Sequence, residues 1–130
     1  MPAERDRPDS LTGPAMADDL LICESGALLE GGPGVRFEVV GAGGEILSAF
    51  AVRHQGTARA FLNQCAHIPV ELDWQPGNFF DAEGQYLICA THGATYRPSD
   101  GFCVAGPCRG SSLVALECVE RGGQVWFIRN

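Results

Sequence analysis

Cys65-Ala66-His67 and Cys89-Ala90-Thr91-His92 are the two short stretches on which the reading of this chain turns. Each sets one thiol and one imidazole a residue or two apart, and residues 68–88 lie between the pairs. Two turns of this kind at the tip of a sheet bring four metal-binding side chains to one spot. Thiolate and imidazole favour different irons, so two Cys plus two His suit a [2Fe-2S] centre with the thiolates on one iron and the imidazoles on the other. The same spacing is compatible with a tetrahedral Cys₂His₂ zinc site. Ordinary core packing is the third reading of these residues.

Around the pairs the chain reads as short strands. Residues 20–23 (LLIC) are a first strand, and Gly31-Gly32-Pro33-Gly34 is a turn. Val35 to Val40 alternates apolar and charged residues, as a half-buried strand does. Gly41-Ala42-Gly43-Gly44 then closes a hairpin into residues 46–53. After the turn His54-Gln55-Gly56, residues 57–63 return as a strand and deliver the chain to Cys65. Residues 86–88 form a short buried strand ending at Cys89, and residues 94–96 lead outward to the turn Pro98-Ser99-Asp100-Gly101. Residues 113–119 and 124–128 flank Arg121-Gly122-Gly123 as a third hairpin. No amphipathic helix, internal repeat or second domain is evident. The expectation is an all-β fold of eight to ten short strands, with the loops carrying the site.

Composition agrees. The 130 residues fit one modest core, and 17 glycines with eight prolines suit a loop-rich β protein. A net charge of −7 argues against a nucleic-acid binder, which needs a basic surface for phosphate. That charge serves solubility or steers the protein toward a basic partner. No apolar run is long enough to span a membrane, and the charged residues 1–18 read as a flexible tail without a secretory core. A cytoplasmic location follows as the expectation. A disulfide scaffold would need an oxidising compartment and competes with the use of two cysteines as ligands.

The residues around the second pair separate iron from zinc. Cys89-Ala90-Thr91-His92-Gly93-Ala94-Thr95-Tyr96, followed by Gly101 and Gly106-Pro107, resembles the second cluster loop and proline loop of Rieske proteins. The resemblance covers roughly residues 35–128. It implies an antiparallel β-sandwich over residues 19–130, with a small cluster-binding subdomain at about residues 64–108. It also implies one [2Fe-2S] cluster per chain, held by Cys65 and Cys89 on one iron and by His67 and His92 on the other. The imidazoles at the exposed tip would give the electron its exit and are placed to titrate with oxidation state.

Departures from the family pattern carry information. The segment between the pairs is a few residues long, with residues 74–83 holding the excess as a surface excursion. Neither ligand loop carries the extra cysteine with which membrane-complex Rieske proteins bridge their loops; Ile68, Pro69 and Ala90 stand there instead. High-potential relatives have a serine two residues after the second histidine, and this chain has Ala94. Tyr96 keeps the assisting hydroxyl, and Pro107 would shield the cluster from water. One sulfur-bonding hydroxyl lost and one kept implies the lower part of the family's potential window.

Other residues have plainer readings. Cys103 and Cys108 bracket the proline loop; small residues packed under a tight loop is preferred over a disulfide or a redox-active pair. Cys23 and Cys118 read as core, His54 as a solvated turn residue, and Trp126 and Phe127 as core. Trp74, Phe79 and Phe80 pack down the excursion or, less favoured, form a docking patch. Asp73, Asp81 and Glu83 read as a solvated face. A catalytic non-haem iron needs two further histidines and a carboxylate, and three histidines in total leave too few. The expectation is a monomeric one-electron carrier, not an enzyme, that takes electrons from a reductase and gives them to an oxygenase or similar acceptor. The alternatives are the small subunit of an assimilatory nitrite reductase, a zinc-bound adaptor, and a redox sensor should Cys103 and Cys108 cycle.

Overall fold

A computed structural model of the chain describes residues 19–66, 70–91, 93–108 and 110–128. The tail expected at residues 1–18 lies outside the described residues. Ten strands follow one another: β1 (Leu20–Glu24), β2 (Val35–Val40), β3 (Ile46–His54), β4 (Thr57–Leu62), β5 (Leu87–Ile88), β6 (Thr95–Tyr96), β7 (Cys103–Ala105), β8 (Ala115–Leu116), β9 (Cys118–Arg121) and β10 (Gln124–Phe127). A single 3₁₀ turn, Ser25–Ala27, is the one helical element among the described residues. Among the described residues no helix is long and apolar enough to cross a membrane.

The strands form three antiparallel sheets, ordered β1-β10-β9, β2-β3-β4-β8 and β5-β6-β7. The four-stranded sheet is the middle layer, and its sequence shows why. Ala49-Phe50-Ala51-Val52 on β3 is buried at every position, so both faces of the strand are covered. Side chains alternate across a strand, which sends alanines to one face and large residues to the other. Ala51, Ala58 and Ala60 meet Val125 and the half-buried Ile22, Cys23 and Cys118 of the first sheet. Small residues on that face let the two sheets approach closely. On the opposite face Phe50, Val52 and Phe61 join Leu72, Phe79, Leu87 and Tyr96 in the larger core. Burying each phenylalanine there contributes about 1.5–3 kcal/mol.

Residues 74–83, expected as a surface excursion, are tied into that core. Phe79 is fully buried and stacks on Phe50, ring centroids 3.9 Å apart at 10°, while Phe80 is buried beside it. Gly34 makes this possible: a Cβ there would lie 2.7 Å from the Phe79 ring, and the Gly34 N–H donates to the Gly77 carbonyl at 2.8 Å. Of the three aromatic residues in this segment, Trp74, 81% exposed, is the one that stays in solvent.

Three other expectations need correction. Residues 113–119 are not one strand: β8 pairs with β4 in the middle sheet, and β9 pairs with β10 in the first. The chain changes sheets at Glu117, a single charged residue in an otherwise apolar run, which alone gives too little sign of the crossing. The third hairpin does form, between β9 and β10, but its tryptophan and phenylalanine are only half-buried. Trp126 lies under the Arg121 guanidinium and Phe127 against Phe37. His54 ends β3 and is half-buried instead of solvated.

Candidate metal centre

Cys65 and Cys89 head two loops that close in the same way. The Cys65 N–H donates to the carbonyl of Val70 at 2.8 Å, and the Cys89 N–H to the carbonyl of Ala94 at 2.9 Å. In each case the cysteine is bonded to the residue five positions on. Within the second loop the Gly93 N–H also returns to the Cys89 carbonyl at 2.8 Å. Both cysteines are buried in the larger core, and neither belongs to a disulfide. His67 and His92, the imidazoles expected beside them, lie outside the described residues.

Tyr96 joins the loops from below. It is fully buried on β6, between β5 and β7. Its hydroxyl accepts the Ala66 N–H at 3.0 Å and lies 3.3 Å from the Cys65 sulfur. Burial, followed by the bond to Cys65, pushes the phenol well above its usual range, so the hydroxyl keeps its proton and remains a donor. Ala94 is fully buried, and its Cα lies against Gly106 of the proline loop, whose Pro107 is exposed.

A second connection was not foreseen. Asn63, two residues before Cys65, is buried; its amide donates to the Asp73 carboxylate at 2.8 Å, and its carbonyl oxygen accepts the Leu72 N–H at 2.8 Å. The other Asp73 oxygen takes the Gly77 N–H at 2.9 Å and lies 3.6 Å from Arg36. The Leu72 carbonyl in turn accepts the Ala90 N–H at 3.0 Å, one residue past Cys89. Residues 72 and 73 thus bridge the loops headed by Cys65 and Cys89. Asp73, read from sequence as solvated, is buried because three groups converge on it: the Asn63 amide, the Gly77 N–H and the Arg36 guanidinium. Asp81 and Glu83 are respectively half-buried and exposed; the former accepts turn N–H groups from Gln85 and Tyr86. The one sequence sign of the Asp73 role is the glycine four residues on, which suits a carboxylate folding back on its own backbone.

Cys103 and Cys108 form a disulfide, not the separate thiols expected. The compartment argument misleads here, because Cys103 on β7 and Cys108 at the loop's return are brought together by the fold. Cys23 and Cys118 remain thiols; they are half-buried, and burial raises the pKa of each.

Buried thiols with a protonated hydroxyl directed at one of them suit an anionic, sulfur-rich group such as an iron–sulfur cluster. The comparisons agree. No curated protein sequence matches the chain. Among solved structures, the Sphingomonas yanoikuyae B1 ferredoxin is 18% identical, with a TM-score of 0.66 over 87% of this chain and 100% of that one. A chain in a complex of reduced oxygenase and oxidized ferredoxin of carbazole 1,9a-dioxygenase is 22% identical, with a TM-score of 0.67 over 84% of this chain and 100% of that one. The terminal oxygenase of carbazole 1,9a-dioxygenase from Novosphingobium sp. KA1 is 21% identical, with a TM-score of 0.66 over 84% of this chain but only 29% of that one. At these identities the likeness is one of fold. The chain spans the whole of the ferredoxins and under a third of the oxygenase chains. A model of the Rieske [2Fe-2S] domain matches residues 19–120, and with the antiparallel sandwich and the paired loops in place, the chain belongs to the Rieske [2Fe-2S] domain family.

Proposed function

We propose that this protein is a soluble one-electron carrier, with a single [2Fe-2S] cluster held by Cys65, His67, Cys89 and His92. The observation that carries the reading is the pair of buried thiols heading two identically closed loops, with Tyr96 bonded beside one of them. The cluster, when bound, takes up and releases one electron. The chain's own residues do the rest. Cys65 and Cys89 hold the buried side of the site, and His67 and His92 are assigned to its outer side. Tyr96 donates toward the Cys65 sulfur, Ala94 gives no side-chain hydrogen bond, and Pro107 lies on the loop that covers the site. The organisation kept with this reading is a domain over residues 19–130, with residues 64–108 as its cluster-binding part.

The partners proposed are a reductase on one side and an oxygenase on the other. Ferredoxins and oxygenases of the carbazole dioxygenase system share the fold, and full coverage of the ferredoxins favours the carrier over the oxygenase part. Three histidines leave too few for a catalytic mononuclear iron beside the cluster. A monomer in the cytoplasm is the state proposed with this reading. The nitrite-reductase subunit and the zinc adaptor draw no support from these relatives.

The test is purification with iron and sulfide analysis, visible and EPR spectra, and film voltammetry. Two irons and two sulfides per chain, an anisotropic spectrum on reduction and a midpoint below about +200 mV are expected. Colourless protein with stoichiometric zinc overturns the reading. Loss of the spectrum in His67→Ala and His92→Ala tests the imidazole assignments.

A further inference from the structure

We propose that the Cys103–Cys108 disulfide is a positioning element of the cluster site, holding Gly106-Pro107 against the backbone of Gly93-Ala94 and thereby setting the surroundings of the second ligand loop. The inference rests on Cys89 and His92 as ligands, the reading proposed above.

A five-residue separation closes a short loop, so the bond restricts the unfolded chain less than a long-range bridge would. In the folded state its effect is local, on whatever the loop touches. One limb is already secured, since Ala105 pairs with Thr95 and Cys103 with Tyr96. The returning limb is fastened to β7 further on, where the Cys103 N–H donates to the Ser111 carbonyl at 2.7 Å and the Gly110 N–H to the Cys103 carbonyl at 3.4 Å. Nearer the tip Pro107 has no N–H to give, and the disulfide ties the limb to β7 at Cys108. Between the limbs sits Gly106 at φ +95°, where a Cβ would lie 2.8 Å from the Ala94 Cα and 3.1 Å from the Gly93 carbonyl oxygen. The proline loop therefore rests backbone on backbone against the residues that directly follow His92. Cys103 is fully buried and Cys108 nearly so, so the bond sits within the same core as Cys65, Cys89 and Tyr96.

The test compares the cluster-loaded wild type with two variants. Cys103→Ser/Cys108→Ser removes the bond; Gly106→Ala leaves the bond and forces the loop off Ala94. Intact mass first establishes that the native protein is two hydrogens lighter than its reduced form. Both variants are expected to keep a mixed-ligand EPR spectrum with displaced g-values, to shift the midpoint potential, and to bleach roughly tenfold faster than wild type. A disulfide that only stiffens the chain would change unfolding while leaving potential and g-values in place, and that outcome overturns the proposal. A native mass corresponding to six thiols overturns it as well. A wild type without any mixed-ligand spectrum overturns the underlying cluster assignment instead, so the two failures are distinguishable. Should the double variant not fold, Cys108→Ala, which also removes the bond, takes its place in the same comparison.

Discussion

The Tyr96 hydroxyl accepts the Ala66 N–H at 3.0 Å and lies 3.3 Å from the Cys65 sulfur, so its own proton is free for that sulfur. One side chain on β6 thereby orients the Cys65 loop and sets its hydroxyl against the sulfur. A neutral donor buried beside a cluster sulfur favours the more negative, reduced state.

Tyr96→Phe should therefore lower the midpoint potential. A lost hydrogen bond worth about 1 kcal/mol more in the reduced state corresponds to a fall on the order of 50 mV for one electron. The ring still fills its place in the core, so the fold and the cluster spectrum should persist. Voltammetry of the two proteins side by side gives the answer; an unchanged potential would mean that the hydroxyl only braces Ala66.

Asp73 should matter more to the site than its place in a surface-reading segment implies. Asp73→Ala strips buried acceptors from the Asn63 amide and the Gly77 N–H, at a cost of roughly 3 kcal/mol. Because Leu72 links Asn63 to Ala90, both ligand loops loosen together. Denaturant unfolding should show the destabilisation, and cluster bleaching should quicken in parallel. Asp73→Asn keeps one acceptor and should fall between.

The contrast between Asp73 and the strands shows what could be read in advance. Val35 to Val40 was legible to the residue because its alternation is local and the strand has a polar face. The family was legible because the paired Cys and His residues stand at the close spacing its two loops use. Asp73 was not: its burial depends on Asn63, Gly77 and Arg36 meeting in space. The Cys103–Cys108 bond was set aside on compartment grounds, although only the pairing of β7 with β6 could decide whether the two approach. β7 itself went unread, being three residues set between turns. The crossing at Glu117 was hidden because apolar periodicity reports a buried face without saying which sheet supplies it.

Within the segment between the ligand loops, two aromatic substitutions should part company. Phe79→Ala removes a ring stacked on Phe50 in the closed core and should cost about 3–5 kcal/mol. Trp74→Ala removes a side chain that is 81% exposed, and stability should change by no more than about 0.5 kcal/mol. Chemical denaturation of both variants separates a packed segment from a loose excursion; equal effects would contradict the packing.

Acid should weaken the contact between the first two sheets before it reaches the core. The Arg53 guanidinium on β3 bonds both oxygens of Glu120 on β9, at 3.0 and 2.8 Å, and also reaches the Leu28 and Ser25 carbonyls. That pairing pulls the Glu120 carboxyl down to about 2 from an ordinary value of 4.5. A folded pKa below the unfolded one means that the native state holds its charge longer than the unfolded chain. The stabilisation is therefore complete above pH 4.5 and is lost as pH falls through about 2. Glu120 is partly open to solvent, so screening limits the gain to about 1 kcal/mol or less. Glu120→Gln should be less stable than wild type at neutral pH, and the gap should close between pH 4.5 and 2. Measuring the difference between the two proteins cancels acid effects common to both, including any loss of iron. A gap that stays constant through that interval would show that the ion pair contributes nothing to holding the sheets together.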